Sequence, residues 1–194
     1  MHKTMAVPAL LVACVLLAPG CSRMTWDASP TFEVNPAEEP EAEATKAPDP
    51  MLAEVAGDFF GAMPDNRMKD AYALLTAEAQ KALSYQQFEA DLTSLGVASH
   101  SIVAQTQTGD AGYVVESVLV APTGEDAVSR HMAFGLLLRR SDDGWRISFF
   151  APHGEPQDVY ADLSLTELAD GEFRVTYTDP DETPYALTIT ELRP

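Results

Sequence analysis

The sequence predicts an α+β fold, in which N-terminal helices pack on a curved antiparallel sheet and a β meander follows at the C-terminus. Apolar residues recur at helical spacing between Leu52 and Leu95. Beyond Gly96 the period falls to two, and β-branched and aromatic residues become frequent. Helices followed by a run of strands are typical of an α+β layer.

Each helix has its own start and stop signals. Asp49 and Pro50 predict the beginning of a first helix, and Met63-Pro64 predicts its end. Asp65 is the expected cap of a second helix, and Thr76 that of a short helical turn. A further helix is predicted to begin at Ser84 and to end at Gly96.

The sheet is predicted from alternating residues separated by turns. We expect strands at about residues 99–107, 112–121, 127–140 and 145–150. The last two form the clearest hairpin, because Gly144 can adopt the positive φ that such a loop requires. Trp145 lies just after this turn, and we expect it to contact Phe59 and Phe60 of the first helix.

Charge and hydropathy limit the classes of protein that the chain can belong to. The 194 residues contain 12 Lys and Arg against 30 Asp and Glu, a formal net charge of −18. Such a balance excludes nucleic acid as a partner. No stretch approaches the roughly 20 apolar residues that a transmembrane helix requires.

The N-terminus has the pattern of an export signal. Lys3 precedes an apolar run from Met5 to Ala18, which has the length of a signal peptide. The run ends in Leu17-Ala18-Pro19-Gly20-Cys21, which resembles the bacterial lipobox, although the usual leucine stands one position too early. The alternative Leu11-Val12-Ala13-Cys14 is a better local match, but it would leave too short an apolar core. A third reading makes both cysteines ordinary residues of a signal.

The resemblance to lipobox sequences implies where the protein resides. Residues 1–20 would be a lipoprotein signal peptide, and Cys21 would be lipidated by several acyl chains that anchor the protein in the membrane. Ser22 occupies the position where an aspartate commonly retains lipoproteins at the inner membrane. We therefore expect an exported cell-envelope protein, anchored in the outer membrane and facing the periplasm.

Residues 21–49 are expected to form a disordered, acidic, proline-rich tether. The segment contains no glycine, and its acids repel one another. These acids are Asp27, Glu33, Glu38, Glu39, Glu41, Glu43 and Asp49. We interpret the run as a solvated spacer rather than as a docking motif.

Four segments together resemble the nuclear-transport-factor-2-like superfamily. They are the helix ending in Phe59-Phe60, the helix with Ala71-Tyr72-Ala73-Leu74-Leu75, the segment 83–88, and the hairpin Asp143-Gly144-Trp145-Arg146-Ile147. This resemblance covers about residues 51–151. It implies a cystatin-like cone, made of three helices on a strongly curved sheet, over residues 50–152. Many bacterial members are small exported lipoproteins of unknown function.

The tail, residues 153–194, is predicted to be a β extension docked on this domain. Phe173, Val175 and Tyr177 alternate, as do Tyr185, Leu187 and Ile189. About forty residues rarely bury enough surface to fold alone, so the strands should dock on the main sheet or extend it.

Some members of the superfamily are enzymes, such as ketosteroid isomerase and polyketide cyclases, and place a carboxylate base inside the cone. Glu116 is the only candidate catalytic residue that we identify here. Its carboxylate would have a raised pKa if it pointed inward, as a general base requires. We expect it to point outward, because buried unpaired acids are rare.

Few other residues suggest chemistry. Phe60, Tyr72, Tyr85 and Trp145 could line a pocket, although aromatic residues at such positions are usually core. His100 and His131 lack a second metal ligand at i+2 or i+4. We therefore predict no metal and no cofactor.

The function predicted from these observations is binding without catalysis. The expected ligand is an envelope protein or a small apolar molecule. An acid/base enzyme resembling ketosteroid isomerase or a polyketide cyclase is the alternative, and it requires at least two convergent titratable groups inside the cone. The oligomeric state stays open, with a homodimer as one possibility.

Overall fold

A computed structural model describes residues 47–121, 128–154, 156, 160–169 and 171–194. The predicted signal peptide, Cys21 and the tether up to residue 46 lie outside the described residues. The predicted α+β fold is confirmed, since four helices precede seven antiparallel strands in the described part of the chain.

The helices are α1 (Pro50–Gly61), α2 (Met68–Ala73), α3 (Ala77–Ala82) and α4 (Tyr85–Leu95). Three N-terminal caps are those expected from the sequence. Asp49 accepts a hydrogen bond from the Met51 amide, Thr76 from Ala79 and Ser84 from Gln87. Gly96 ends α4 in the left-handed conformation, with a φ of 65°.

The cap predicted for α2 is wrong. Arg67 occupies the N-cap position and makes no side-chain cap hydrogen bond. Asp65 lies two residues earlier, where its carboxylate is 3.4 Å from the Arg67 guanidinium. The intervening Asn66 has a φ of 56°, so the chain turns between Asp65 and the helix.

The first sheet contains β1 (Val97–Thr108), β2 (Ala111–Val120), β3 (Arg130–Ser141) and β4 (Gly144–Gly154), in that spatial order. All its pairs are antiparallel. Its strands correspond to the four predicted ones, with ends that differ by a few residues. Gly144 has a φ of 103° in the β3–β4 turn, as the hairpin required.

The C-terminal meander forms a separate sheet rather than extending the first one. It consists of β5 (Ala161–Ala169), β6 (Glu172–Thr178) and β7 (Pro184–Thr190). One face of the first sheet packs on the helices, and the other packs on this second sheet. The two core clusters therefore share the residues of β2, which alternate between them.

The two clusters differ in composition. The cluster under the helices is built around Phe59, Phe60, Phe88, Phe134 and Phe150. The cluster between the sheets contains several tyrosines as well as Phe173.

Within the described residues, no helix combines the length and apolar character needed to cross a membrane.

Candidate functional site

A β-bulge in β1 determines which side chains meet inside the helical layer. Ala104 lies opposite Val115, and Ile102 lies opposite Glu116, so Val103 is an extra residue without a partner on β2. Because side chains alternate along a strand, one extra residue reverses the face to which the side chains before the bulge point. His100 therefore lies on the same face as Glu116; without the bulge it would point to the second sheet.

His100 and Glu116 form a hydrogen-bonded pair, which we call the His–Glu dyad. The imidazole Nδ1 lies 3.0 Å from the carboxylate Oε2. Glu116 is completely buried, whereas the His100 side chain is 23% exposed. The dyad thus connects the interior of the domain with its surface.

Burial and pairing act on the Glu116 carboxylate in opposite directions. Removal from water raises its pKa, while the hydrogen bond and the charge of His100 lower it, and the net effect is a raised pKa. The second carboxylate oxygen, Oε1, is buried without a hydrogen-bond partner among the described residues. Such an oxygen favours the protonated carboxyl group, since the charged form is poorly solvated there.

The dyad lies in apolar surroundings beneath α1. The Phe60 ring is 6.0 Å from the imidazole and 5.4 Å from the Phe134 ring, and Phe134 is opposite Glu116 in the sheet. A methyl group added at Gly61 would lie 3.5 Å from Nε2 of His100, and one at Gly57 would lie 3.9 Å from Cε1. These two glycines, one helical turn apart, let α1 lie close to the ring.

Our expectation that Glu116 points outward is wrong. It shares the helical face with Val114 and Val118, and it is buried there with them. The sequence predicts an outward orientation because it shows no partner for a buried acid at this position. His100 is that partner, but strict alternation along β1 would place His100 on the opposite face of the sheet from Glu116.

The dyad has the geometry of a base held by an orienting carboxylate. One proton is shared between Nδ1 and Oε2, so either the imidazole donates to the carboxylate or the protonated carboxyl donates to the imidazole. The other ring nitrogen, Nε2, lies on the side of α1. Two coupled titratable groups in an apolar site can transfer a proton, provided that a substrate reaches Nε2.

Aromatic side chains fill the interior beside the dyad. The Phe59 ring is 5.3 Å from that of Phe150 and 6.0 Å from that of Phe88, and all three are at most 3% exposed. Phe88 and Phe150 are themselves 6.0 Å apart. The rings therefore form one continuous packed cluster.

Trp145 is 3% exposed and lies in the core cluster that also contains Phe59 and Phe60. The ring partners of Phe59 and Phe60 in the described structure are other phenylalanines and His100, not Trp145. Its Nε1 donates a hydrogen bond to Asp49 over 3.1 Å, so Trp145 secures the start of α1 to the β3–β4 hairpin.

The two candidate tyrosines hold helices together. The Tyr72 hydroxyl is 2.9 Å from the Gln80 carbonyl and 2.8 Å from that of Leu83, at the end of α3. Tyr85 donates to Glu89 over 2.6 Å, and this hydrogen bond raises the pKa of its phenol. Each hydroxyl thus has a structural partner.

A second polar pair, largely buried, lies between the sheets, and sequence reasoning missed it. The Tyr113 hydroxyl is hydrogen-bonded to Nε2 of His153. Burial raises the pKa of Tyr113 well above its usual value and lowers that of His153 to about 4. At neutral pH the tyrosine therefore donates to a neutral imidazole. Gly135 leaves room for the pair, because a Cβ there would collide with both side chains.

In the described part of the chain, no group of three His, Cys, Asp or Glu side chains is placed to hold a metal ion. His131 is exposed and lies 3.3 Å from the Ser117 hydroxyl.

Comparison with known proteins gives no further assignment: no family model matches the sequence, and no curated protein shows significant similarity to it.

Proposed function

We propose that the chain is a lipoprotein of the cell envelope that carries a nuclear-transport-factor-2-like domain and binds a protein partner without catalysis. Cys21 would anchor it in the outer membrane, and residues 21–49 would hold the domain away from the lipid surface. The lipobox resemblance and the order of the helix and hairpin motifs support this proposal.

The packed interior is the observation that carries the proposal. In a cone that receives a small apolar ligand, the space between the helices and the sheet is a cavity. Here Phe59, Phe60, Phe88, Phe134 and Phe150 occupy that space, and each is at most 3% exposed. A partner is therefore expected to bind on the outer surface, which favours a protein over a small apolar molecule.

Photo-cross-linking in the native host tests partner binding. A photoreactive amino acid would replace the exposed residues Ile102, Val103 or Leu168, one at a time. We expect a discrete adduct with one protein from at least one position. Adducts at none of the positions, combined with saturable binding of an apolar dye to the folded protein, would favour the small-ligand alternative.

Acyl labelling tests the anchor separately. Cys21→Ala should abolish incorporation of labelled fatty acid and leave an unprocessed precursor, whereas Cys14→Ala serves as the matched control and should be labelled normally. The reverse result would assign the lipid to Cys14, and absence of label from the unaltered protein would exclude a lipidated cysteine.

The His–Glu dyad favours a second candidate function, acid/base catalysis of the ketosteroid isomerase kind. Two titratable groups converge inside the helical layer, which is the feature that this alternative requires. Proton abstraction from 5-nitrobenzisoxazole provides a general-base probe. Glu116→Gln and His100→Gln should each lower its rate about 100-fold, while exposed Glu54→Gln should not. Equal rates in all four proteins would exclude the dyad as a base.

A further inference from the structure

Four arginines line one surface hollow of this strongly acidic protein. The hollow has a volume of about 840 Å³ and lies between the β3–β4 hairpin, α3 and the C-terminal residues. We call it the arginine hollow after Arg139, Arg140, Arg146 and Arg193. The chain has only 12 basic residues, so this is a marked concentration of positive charge.

Arg146 is the central residue of the hollow, because its charge is not neutralised. It is directly opposite Arg139 in the β3–β4 pair, where like charges are unfavourable. The Arg139 guanidinium donates hydrogen bonds to the carboxylates of Glu191 over 2.7 Å and of Glu167 over 2.8 Å. Arg146, by contrast, is partly buried and forms no ion pair within the described ranges.

The other two arginines are more exposed, and each is paired with a carboxylate of the chain. The Arg140 side chain is 55% exposed, and its guanidinium is 3.9 Å from the Asp49 carboxylate. Arg193 is bonded to Glu191 over 2.7 Å and is 40% exposed. Two more acids, Glu78 and Asp143, also line the hollow, but neither lies within ion-pair distance of Arg146.

We propose that the arginine hollow binds a carboxylate-rich segment of the partner protein, with Arg146 as the main contact. This inference rests on the proposed partner-binding function and names its chemistry. A guanidinium presents planar paired donors that match a carboxylate, and such charge-assisted hydrogen bonds are the strong ones. The volume exceeds that of a single side chain, so a peptide segment fits better than one isolated group.

The net charge of −18 does not prevent this binding. At 0.15 M ionic strength the Debye length is about 8 Å, so acids elsewhere on the surface are largely screened. A carboxylate in the hollow is in direct contact with guanidinium groups, and contacts of this kind are screened much less.

Fluorescence anisotropy with a labelled hexaglutamate peptide tests the proposal on the full chain at 0.15 M salt. We expect saturable binding to the unaltered protein. Arg146→Gln should weaken it about tenfold or more, because it removes a charge-assisted contact. Arg130→Gln is the matched control, since Arg130 is exposed and lies outside the hollow, and it should bind the peptide normally.

The remaining outcomes would overturn the proposal. Displacement of the peptide by inorganic phosphate, but not by succinate, would indicate a phosphate site. Binding that occurs only after deletion of residues 22–48 would show that the acidic tether of the same chain occupies the hollow. Absence of peptide binding, with the cross-linked partner adduct retained, would reject this hollow while leaving the proposed function intact.

Discussion

At the scale of single residues, two histidines differ in the kind of group to which they are hydrogen-bonded. His100 faces a buried carboxylate and reaches the surface, whereas His153 is bonded to a buried phenol. The Nδ1 atom of His153 is also buried, without a partner among the residues that the structure describes. Each pair therefore makes the stability of the fold depend on pH, and the two dependences differ in sign.

Glu116→Gln is expected to stabilise the protein at neutral pH. Because the folded-state pKa of Glu116 is raised, the native state binds more protons than the unfolded state above the usual pKa of 4.5. Its contribution to stability therefore falls as pH rises through the window between these two pKa values. Urea unfolding at pH 7 should show a gain of about 1 kcal/mol or more, consistent with relief of an incompletely paired buried group.

The gain should shrink when the same comparison is made at pH 4. Glu54→Gln, on the exposed face of α1, is the control and should change stability little at either pH. A loss of stability in Glu116→Gln at pH 7 would mean that the charged hydrogen bond to His100 outweighs the cost of burial.

His153 should produce the opposite dependence. Its pKa is about 4 in the folded protein against 6.5 in the unfolded chain, so the unfolded state binds the proton first. Stability is then lost as pH falls from about 6.5 to about 4, by about 3 kcal/mol in total. His153→Gln should remove this part of the pH dependence and still accept the Tyr113 hydrogen bond.

Unfolding free energies between pH 4 and pH 7 measure the effect of His153. The exposed His131→Gln variant is its control and should keep the pH dependence of the unaltered protein. Parallel curves for His153→Gln and the unaltered protein would contradict the assigned burial of the imidazole.

At the scale of elements, the β3–β4 hairpin anchors the start of α1. Trp145 is 3% exposed and donates to Asp49, whose carboxylate also caps the helix. The Asp49 amide in turn donates to Gln107 of β1 over 2.8 Å. One aspartate thus joins a helix end to two strands.

Trp145→Ala should destabilise the protein by about 3–5 kcal/mol, because it removes a large buried ring. Trp145→Phe keeps most of the packing and loses the hydrogen bond to Asp49, so it should cost about 1–2 kcal/mol. Chemical denaturation of the two variants separates these contributions. If Trp145→Ala were harmless, the hairpin would not be part of the core.

The elements predictable from sequence are those whose signals are local. Asp49, Thr76 and Ser84 cap their helices through amides two or three residues away, and Gly144 closes a hairpin within its own turn. The His–Glu dyad depends instead on an unpaired Val103, which fixes the face of a residue three positions away. No residue type or spacing in β1 indicates that bulge. The sequence therefore predicts Glu116 as a candidate but not its pairing with His100.

At the scale of the whole molecule, the described chain has three layers, helices, first sheet and second sheet. The C-terminal residues cross between the layers: the Glu191 amide donates to Gly171, and the Leu192 amide donates to Ser148 of β4. Leu192 then packs against the core beneath the helices. The second sheet is therefore tied to the first at its end as well as across its face.

Removal of residues 22–48 should leave the folding of the domain unchanged. Asp49, which the deletion retains, makes the described contacts at the start of α1, and the removed segment has too little apolar content to pack. Thermal unfolding of chains starting at Ser22 and at Asp49 should give the same Tm within error. A drop of several degrees in the shorter chain would show that the tether docks.

Arg139 is the main polar connection between the two sheets. From β3 it bonds Glu167 of β5 and Glu191 after β7, and its guanidinium lies 4.7 Å from the centre of the Phe173 ring on β6. Arg139→Met keeps the aliphatic contact with Phe173 but leaves the nearly buried Glu191 with Arg193 as its remaining ion-pair partner in the described chain. We expect a loss of about 1–3 kcal/mol, since a buried charge is then incompletely paired.

Hydrogen exchange shows where that loss falls. Amides of β5–β7 should exchange faster in Arg139→Met, while those of β2 and β3 should keep the protection of the unaltered protein, because the helical face of the first sheet is not affected. Arg130→Met, at an exposed position of the same strand, should change neither region. Uniformly faster exchange in Arg139→Met would mean that the two sheets unfold as a single unit, in which case the layers are cooperative and Arg139 stabilises the whole domain.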